Sequence, residues 1–290
     1  MKRILAFLLI GMLFVLSLGC ITVSGLSCSA PIRYANADKY TAGDFTYESD
    51  KVKKVEIEWV NGSVTLINGT GTLSVSEKSA DALGEEDQMH WWLDGTTLRI
   101  RFCKSGKKLK VNEGKKDLTV ELPASADLKI EIASGKIISE KPLDLGTFKL
   151  QTASGGTSIG SLSAKEVKIE SASGGLLMGK VSVAGTFKVE TASGGLSVDE
   201  ISAEEIRIES ASGGIALGLD AVETVDLQSA SGSIRLKLLS PENGANVEYS
   251  AVSGSMNCKL PFEKDGSDYR IGLGAIRIKI EVVSGSVTIE

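Results

Sequence analysis

Eight short segments of this sequence are variants of one phrase: IASGKI, TASGGT, SASGGL, TASGGL, SASGGI, SASGSI, AVSGSM and VVSGSV. Their serines, Ser134, Ser154, Ser173, Ser193, Ser212, Ser231, Ser253 and Ser284, follow one another at 20, 19, 20, 19, 19, 22 and 31 residues. A period near 20 residues is the mark of a stacked architecture, and it constrains the fold more than any other feature. Ahead of each Ser-Gly, apolar residues occupy every second place, as in Phe148-Lys149-Leu150-Gln151-Thr152 and Val167-Lys168-Ile169-Glu170-Ser171. That is strand periodicity. A second short alternation follows, such as Leu196-Ser197-Val198, and then a polar corner such as Ser202-Ala203-Glu204. The frame reaches back to Val55–Val64 if Asn61, a residue that tolerates positive φ, replaces the repeated Ser. That makes about nine units.

One such unit cannot fold alone. Burying four apolar side chains yields roughly 6 to 12 kcal/mol, whereas ordering twenty residues costs at least roughly 20 kcal/mol of backbone entropy. Its backbone donors and acceptors also need partners, which only the units above and below can supply. The sequence therefore predicts an all-β fold, a single-stranded parallel β-helix (β-solenoid) with rungs of about 20 residues. The crossover rule makes its coil right-handed. Nine rungs at about 4.8 Å form a rod of roughly 45 Å.

Superposing the units sets Lys129, Lys149, Lys168, Lys188 and Arg207 in one outward column. Glu131, Gln151, Glu170, Glu190, Glu209 and Gln228 form the next, two residues along. Opposite charges on one face stabilise a sheet modestly, and the columns read as a solvated face rather than a ligand-binding ladder. Leu176 and Met178, Leu196 and Val198, Ile215 and Leu217, and Met256 and Cys258 fall at inward positions.

The repeat divides the chain into a regular part, 126–290, and a less regular part, 46–125, of one solenoid domain. Ahead of it, MKRILAFLLIGMLFVLSLGC pairs Lys2 and Arg3 with an uncharged run from Ile4 to Leu18. This reads as a signal segment, 1–19, too short for a membrane span. It ends on Cys20 in a context that resembles the lipobox of bacterial lipoproteins, which makes Cys20 the expected lipidation site and the membrane the first partner. Residues 20–45 lack periodicity and are expected to form a tether. At the other end the chain stops in a strand, Val287-Thr288-Ile289-Glu290. Such an uncovered rung invites self-association unless the Pro261–Gly274 insertion covers it.

Composition excludes several functions. A net charge of −5 gives no footprint for nucleic acid. One His and four Cys without a CxxC pair support no metal centre, and no cofactor is expected. Lys104, Lys107, Lys108, Lys110, Lys115 and Lys116 form a basic run, the candidate contact for an anionic partner such as lipid or wall polymer. His90-Trp91-Trp92 could offer stacking surface for a sugar, but a strand alternating between core and edge accounts for it without a ligand.

The signal, the Asn61-Gly62-Ser63-Val64 start, the Leu93–Leu98 segment LDGTTL, the Asp117–Pro123 stretch DLTVELP and the Ser-Gly repeats together resemble a bacterial adhesin-like family, a domain-of-unknown-function family related to the head-GIN adhesin domains. The resemblance covers residues 46–290. It implies a cell-surface β-solenoid without known catalytic residues. The expected function is accordingly a non-catalytic, membrane-anchored adhesion or binding scaffold for wall polymer, glycan or surface protein. The competing readings are an envelope lipoprotein acting through a membrane partner and, more remotely, a polysaccharide-active β-helix enzyme.

Overall fold

The computed structural model describes residues 31–69, 71–109 and 115–290, and these are all-β apart from two single-turn 3-10 helices. Strands β1 (Thr41–Ala42) and β2 (Phe45–Glu48) precede the first long strand, β3 (Lys54–Asn68). An irregular stretch then supplies β4 (Thr72–Ser79), β5 (His90–Asp94), β6 (Thr97–Arg101) and β7 (Lys116–Leu122). The repeat follows as β8 (Ala126–Ser139), β9 (Leu143–Ser154), β10 (Thr157–Ala164), β11 (Glu166–Ser173), β12 (Leu176–Ser193), β13 (Leu196–Ser212), β14 (Ile215–Ser231) and β15 (Ile234–Leu238). The chain ends with β16 (Ala245–Cys258), β17 (Phe262–Asp265), β18 (Asp268–Ile271) and β19 (Ile276–Ile289).

From β8 to β15 every pairing is parallel, and it joins residues one repeat apart: Phe187 lies between Val167 and Ile206. The apolar alternation faces inward. In β13, Leu196, Val198, Ile201, Ala203, Ile206 and Ile208 are all buried, and the matching inward positions of the neighbouring rungs continue this core along the stack. The register matches the sequence frame: Asn61 stands opposite Ser134, Ser134 opposite Ser154, Ser173 opposite Ser193 and Ser212 opposite Ser231.

The glycine after each serine explains the repeat. Gly194 has φ 150°, and a Cβ there would lie 2.1 Å from the carbonyl oxygen of Gly174 in the adjacent rung. Turn and rung spacing thus both require a residue without a Cβ. In the first unit the left-handed residue is Gly62, at φ 107°, and not Asn61.

The stack departs from the expected uniform solenoid in three places. First, rung order is not chain order at the C-terminal end. Ser231 stands opposite Ser284, and Ser284 opposite Ser253, so β19 is inserted between β14 and β16. The reason lies in the side chains. Strand β19 turns Ile276, Ile278, Ile280 and Val282 inward, all buried, whereas the matching positions of β16 are Ala245, Val247, Tyr249 and Ala251. The more apolar strand takes the place covered on both sides. The terminal strand is therefore not the exposed rung; β16 is, and Met256 and Cys258 on it are only half-buried.

Second, both ends carry antiparallel hairpins. Strands β6 and β7 lie parallel to β3 beneath the first rung, and their outer edges pair antiparallel with β5 and β4. At the other end β18 pairs antiparallel with both β16 and β17.

Third, residues 31–45, expected as the outer part of a tether, pack on the domain. The Ile32 N–H donates to the Lys107 carbonyl at 2.9 Å, the Tyr34 hydroxyl donates to the Cys103 carbonyl at 3.0 Å, and β1 pairs with β5. Aromatic contacts hold this segment where strand periodicity does not. The Phe45 and Trp91 ring centroids are 3.9 Å apart, and those of Tyr34 and Tyr40 4.6 Å. The rest of the tether, the signal segment and Cys20 lie outside the described residues. Among those described, no helix is long and apolar enough to cross a membrane.

One inward column is polar. Thr152, Ser171, Thr191 and Ser210 stack in register and are buried, yet none of their hydroxyls has a hydrogen-bond partner. Rungs about 4.8 Å apart hold successive hydroxyls beyond the roughly 2.8 Å of an O–H···O bond. Val282 fills the same column opposite Ser229. Thr191→Val should therefore raise unfolding stability by up to about 1 kcal/mol in a denaturant titration; a comparable loss would mean the hydroxyl is satisfied in solution.

Candidate functional site

The outward face beside the Ser-Gly turns carries the two charged columns. Lys149, Lys168, Lys188, Arg207, Asp226 and Lys279 stack in register, and the acidic column runs beside them. Lysine and glutamate two residues apart pair within a rung: Lys129 with Glu131 at 2.5 Å, Lys188 with Glu190 at 2.6 Å, Lys279 with Glu281 at 2.7 Å, and Lys168 with Glu170. The Gln151 side-chain amide also donates to Glu170 at 2.7 Å. Burial pushes the Glu170 carboxyl up, but the bonds from Lys168 and Gln151 outweigh it and hold it below the usual carboxylate range. Glu209 differs. Arg207 turns to Glu205 at 2.7 Å, and burial together with the Glu190 charge raises the Glu209 carboxyl.

At its C-terminal end this face is overhung. The β17–β18 hairpin turns at Gly266, φ 59°, and lays β18 along the first four residues of β16, from Ala245 opposite Ile271 to Glu248 opposite Asp268. Between hairpin and ladder runs an open groove of about 760 Å³, lined among others by Asp226, Glu248, Tyr269, Arg270, Arg277 and Lys279. Tyr269 is fixed there, its ring 5.4 Å from that of Phe262 and 5.0 Å from the Lys264 ammonium. Carboxylates, guanidinium groups and a phenol in one groove can recognise a polar, charged or sugar-bearing ligand through directed hydrogen bonds and a stacking face. Among the described residues, no three His, Cys, Asp or Glu side chains gather into a metal-holding group.

Sequence reasoning saw the insertion but not the groove. A signal was present: Asp265-Gly266 between short alternating runs is a hairpin pattern. What sequence lacks is the rung swap that sets β19 beneath the hairpin.

The basic run is not a single patch. Lys104 pairs with Glu86 at 3.2 Å and Lys107 with Asp87 at 2.6 Å. Lys108 and Lys115 are exposed, and Lys110 lies outside the described residues. Lys116, expected as part of the contact surface, is buried under the first rung at 1% exposure. Its ammonium lies 2.8 Å from Glu77 and donates to the carbonyls of Asp87, at 2.6 Å, and Phe102. Burial lowers its pKa, against the raising effect of Glu77. The physical reason is its place as the first residue of β7, where its own carbonyl accepts from the Trp59 indole at 2.9 Å. The His90-Trp91-Trp92 segment is likewise structural: His90 is buried, Trp91 stacks on Phe45, and Trp92 meets Tyr40 edge-on at 5.7 Å.

The described residues form an all-β stack of parallel rungs built on a Ser-Gly repeat, and comparison with known proteins gives the chain its family. The Toastrack DUF4097 family model matches residues 52–290, and the chain belongs to that family. The resemblance read from the repeats is thereby borne out. A candidate adhesin from Parabacteroides distasonis superposes with TM-score 0.51 at 10% identity, covering 87% of this chain and 97% of that one. A candidate adhesin from Bacteroides fragilis gives 0.45 at 15% identity, covering 85% and 96%. No curated protein matches the sequence.

Proposed function

We propose that this protein is a non-catalytic, lipid-anchored binding scaffold displayed at the cell surface, and that the groove under the β17–β18 hairpin is its contact site. In this reading the nine stacked units form a right-handed parallel β-solenoid. Residues 1–19 are a removed signal, Cys20 carries the lipid, and residues 20–30 link it to the packed segment that follows. The observation that carries the proposal is the groove itself, where the ladder's fixed charges meet Tyr269 and Arg270 on a hairpin held over them. The adhesin-like solved structure from Parabacteroides distasonis and the export-type N-terminus support the setting.

The test presents cell-wall polymers, glycans and envelope extracts to the membrane-held protein. Tyr269→Ala and Arg270→Ala are expected to weaken binding at least about tenfold, or about 1.4 kcal/mol. Lys108→Ala and Lys115→Ala should leave it unchanged, and Cys20→Ala should release the protein from membranes. Retention of one specific membrane protein alone would replace the scaffold with the envelope-regulator reading. Release of reducing sugar from a bound glycan would turn the groove's carboxylates into a catalytic set.

A further inference from the structure

The last rung in space leaves half of its length uncovered. Strand β16 pairs along one side with β19, and on the other side β18 reaches only from Ala245 to Glu248, with one more bond from the Tyr249 N–H to the Ser267 carbonyl at 3.2 Å. From Ser250 to Cys258 no strand stands on the outer side among the described residues. Those backbone groups form an open edge, and the core ends there as well: Ala251 is exposed, and Tyr249, Met256 and Cys258 are half-buried. The Tyr249 hydroxyl is buried without a hydrogen-bond partner.

Natural edges are blunted by lysine, proline, bulges or covering segments. This one has none of the residue-level devices. Tyr249-Ser250-Ala251-Val252-Ser253-Gly254-Ser255-Met256-Asn257-Cys258 contains no charge and no proline, although the strand stacked on it carries Lys279 and Glu281. Val252 is 72% exposed. The opposite end of the stack is closed, because β6 and β7 cover the first rung and are paired on their outer sides.

We propose that the β16 edge is a homodimer interface, in which the same edge of a second copy pairs antiparallel with it about a twofold axis. Three observations favour a second copy. A strand added in parallel register would need a glycine over Gly254, as each rung below has, whereas an antiparallel edge escapes that requirement. Two molecules of net charge −5 can approach along a ten-residue segment without charges, and its run of Ser, Ala and Gly permits close contact. The exposed end of one apolar core is also matched by an identical exposed end, which covers Tyr249, Met256 and Cys258 on both copies at once. A twofold axis through this edge uses the same edge of both copies, so the pairing is satisfied at two copies. The edge lies beyond the groove, so the inference stands independently of the ligand.

The experiment is sedimentation equilibrium of the full chain in density-matched detergent, with a photo-crosslinker at position 252 in cells as the second arm. The expected result is two chains per particle and a crosslinked band of twice the monomer mass. Val252→Lys and Ser250→Lys, both at exposed positions, should halve the particle mass while the far-UV circular dichroism of the folded chain stays the same, and melting should fall only to that of the dissociated chain. Leu273→Lys, an equally exposed apolar site away from the edge, should leave the dimer intact. A wild-type particle with one chain at micromolar concentration overturns the proposal, as does a dimer that survives Val252→Lys. A crosslink to a different protein overturns it too and gives the edge to that partner.

Discussion

Gly194→Ala should unfold the protein at a markedly lower temperature than Gly195→Ala, although the two glycines are neighbours in one turn. Gly194 sits at φ 150°, a region closed to residues with a Cβ, where strain alone costs about 1 to 3 kcal/mol. The added methyl would also lie 2.1 Å from the Gly174 carbonyl oxygen, 2.9 Å from its carbon and 3.1 Å from its nitrogen. Those are backbone atoms, so relief requires the two rungs to part, which weakens the ladder and the packing on both sides. A loss of about 3 kcal/mol or more follows, a large fraction of the roughly 5 to 15 kcal/mol that holds a domain. For a chain this long it lowers the melting temperature by about 6 to 12 °C. A methyl on Gly195 finds its nearest atom at 3.6 Å, ordinary contact, and should shift melting little. Gly254→Ala should fall between them, because the contact with Gly285 is 2.4 Å but the last rung can move outward. Calorimetry of the three variants checks the ordering. Equal melting for Gly194→Ala and Gly195→Ala would show that the glycine column does not set the rung spacing.

That column also shows what the sequence could and could not reveal. The period and the inward alternation were readable because parallel stacking repeats one environment in every rung. Asn61 could be aligned with Ser134 across more than seventy residues for that reason, and the structure sets them opposite each other. The charged columns were readable on the same grounds, down to the Lys188–Glu190 pair. Rung order is a different kind of fact. Whether β16 or β19 lies next to β14 depends on a competition between two strands with the same turn, decided by Ile278 and Ile280 against Val247 and Tyr249, and periodicity is silent on competition. The groove inherits that silence, since it exists only because the insertion folds back over a swapped rung. Residues 31–45 escaped for the opposite reason. Their attachment runs through Tyr34, Tyr40 and Phe45 meeting rings and carbonyls on other strands, with no period to betray it. Lys116 was misplaced because a charge run in sequence says nothing about which member begins a strand beneath the core.

Lys116→Met should destabilise the domain by about 3 to 5 kcal/mol, the usual consequence of removing one partner from a buried ion pair. The cost comes from what remains. The Glu77 side chain is 5% exposed and loses the cation that neutralises it, while the Asp87 and Phe102 carbonyls lose their shared donor. The ammonium also stands 4.2 Å over the Phe102 ring and 5.2 Å over that of Trp59, so the site is closed to water by aromatic walls. Adding Glu77→Gln to Lys116→Met should recover part of the loss. The amide is uncharged, yet its carbonyl oxygen can still accept the Met89 N–H that now bonds to Glu77 at 2.5 Å. The double variant is thus expected to be more stable than Lys116→Met alone, a clear departure from the additive losses of two independent lesions. Denaturant titration of the two single variants and the double one measures it. Additive losses would mean that Glu77 reaches water when its partner is gone, and that the first rung rests on packing around Trp59 and not on the buried pair. Recovery would identify Lys116–Glu77 as the bolt that fixes β7 and β4 under β3, so that the irregular N-terminal layer and the regular stack melt as one unit.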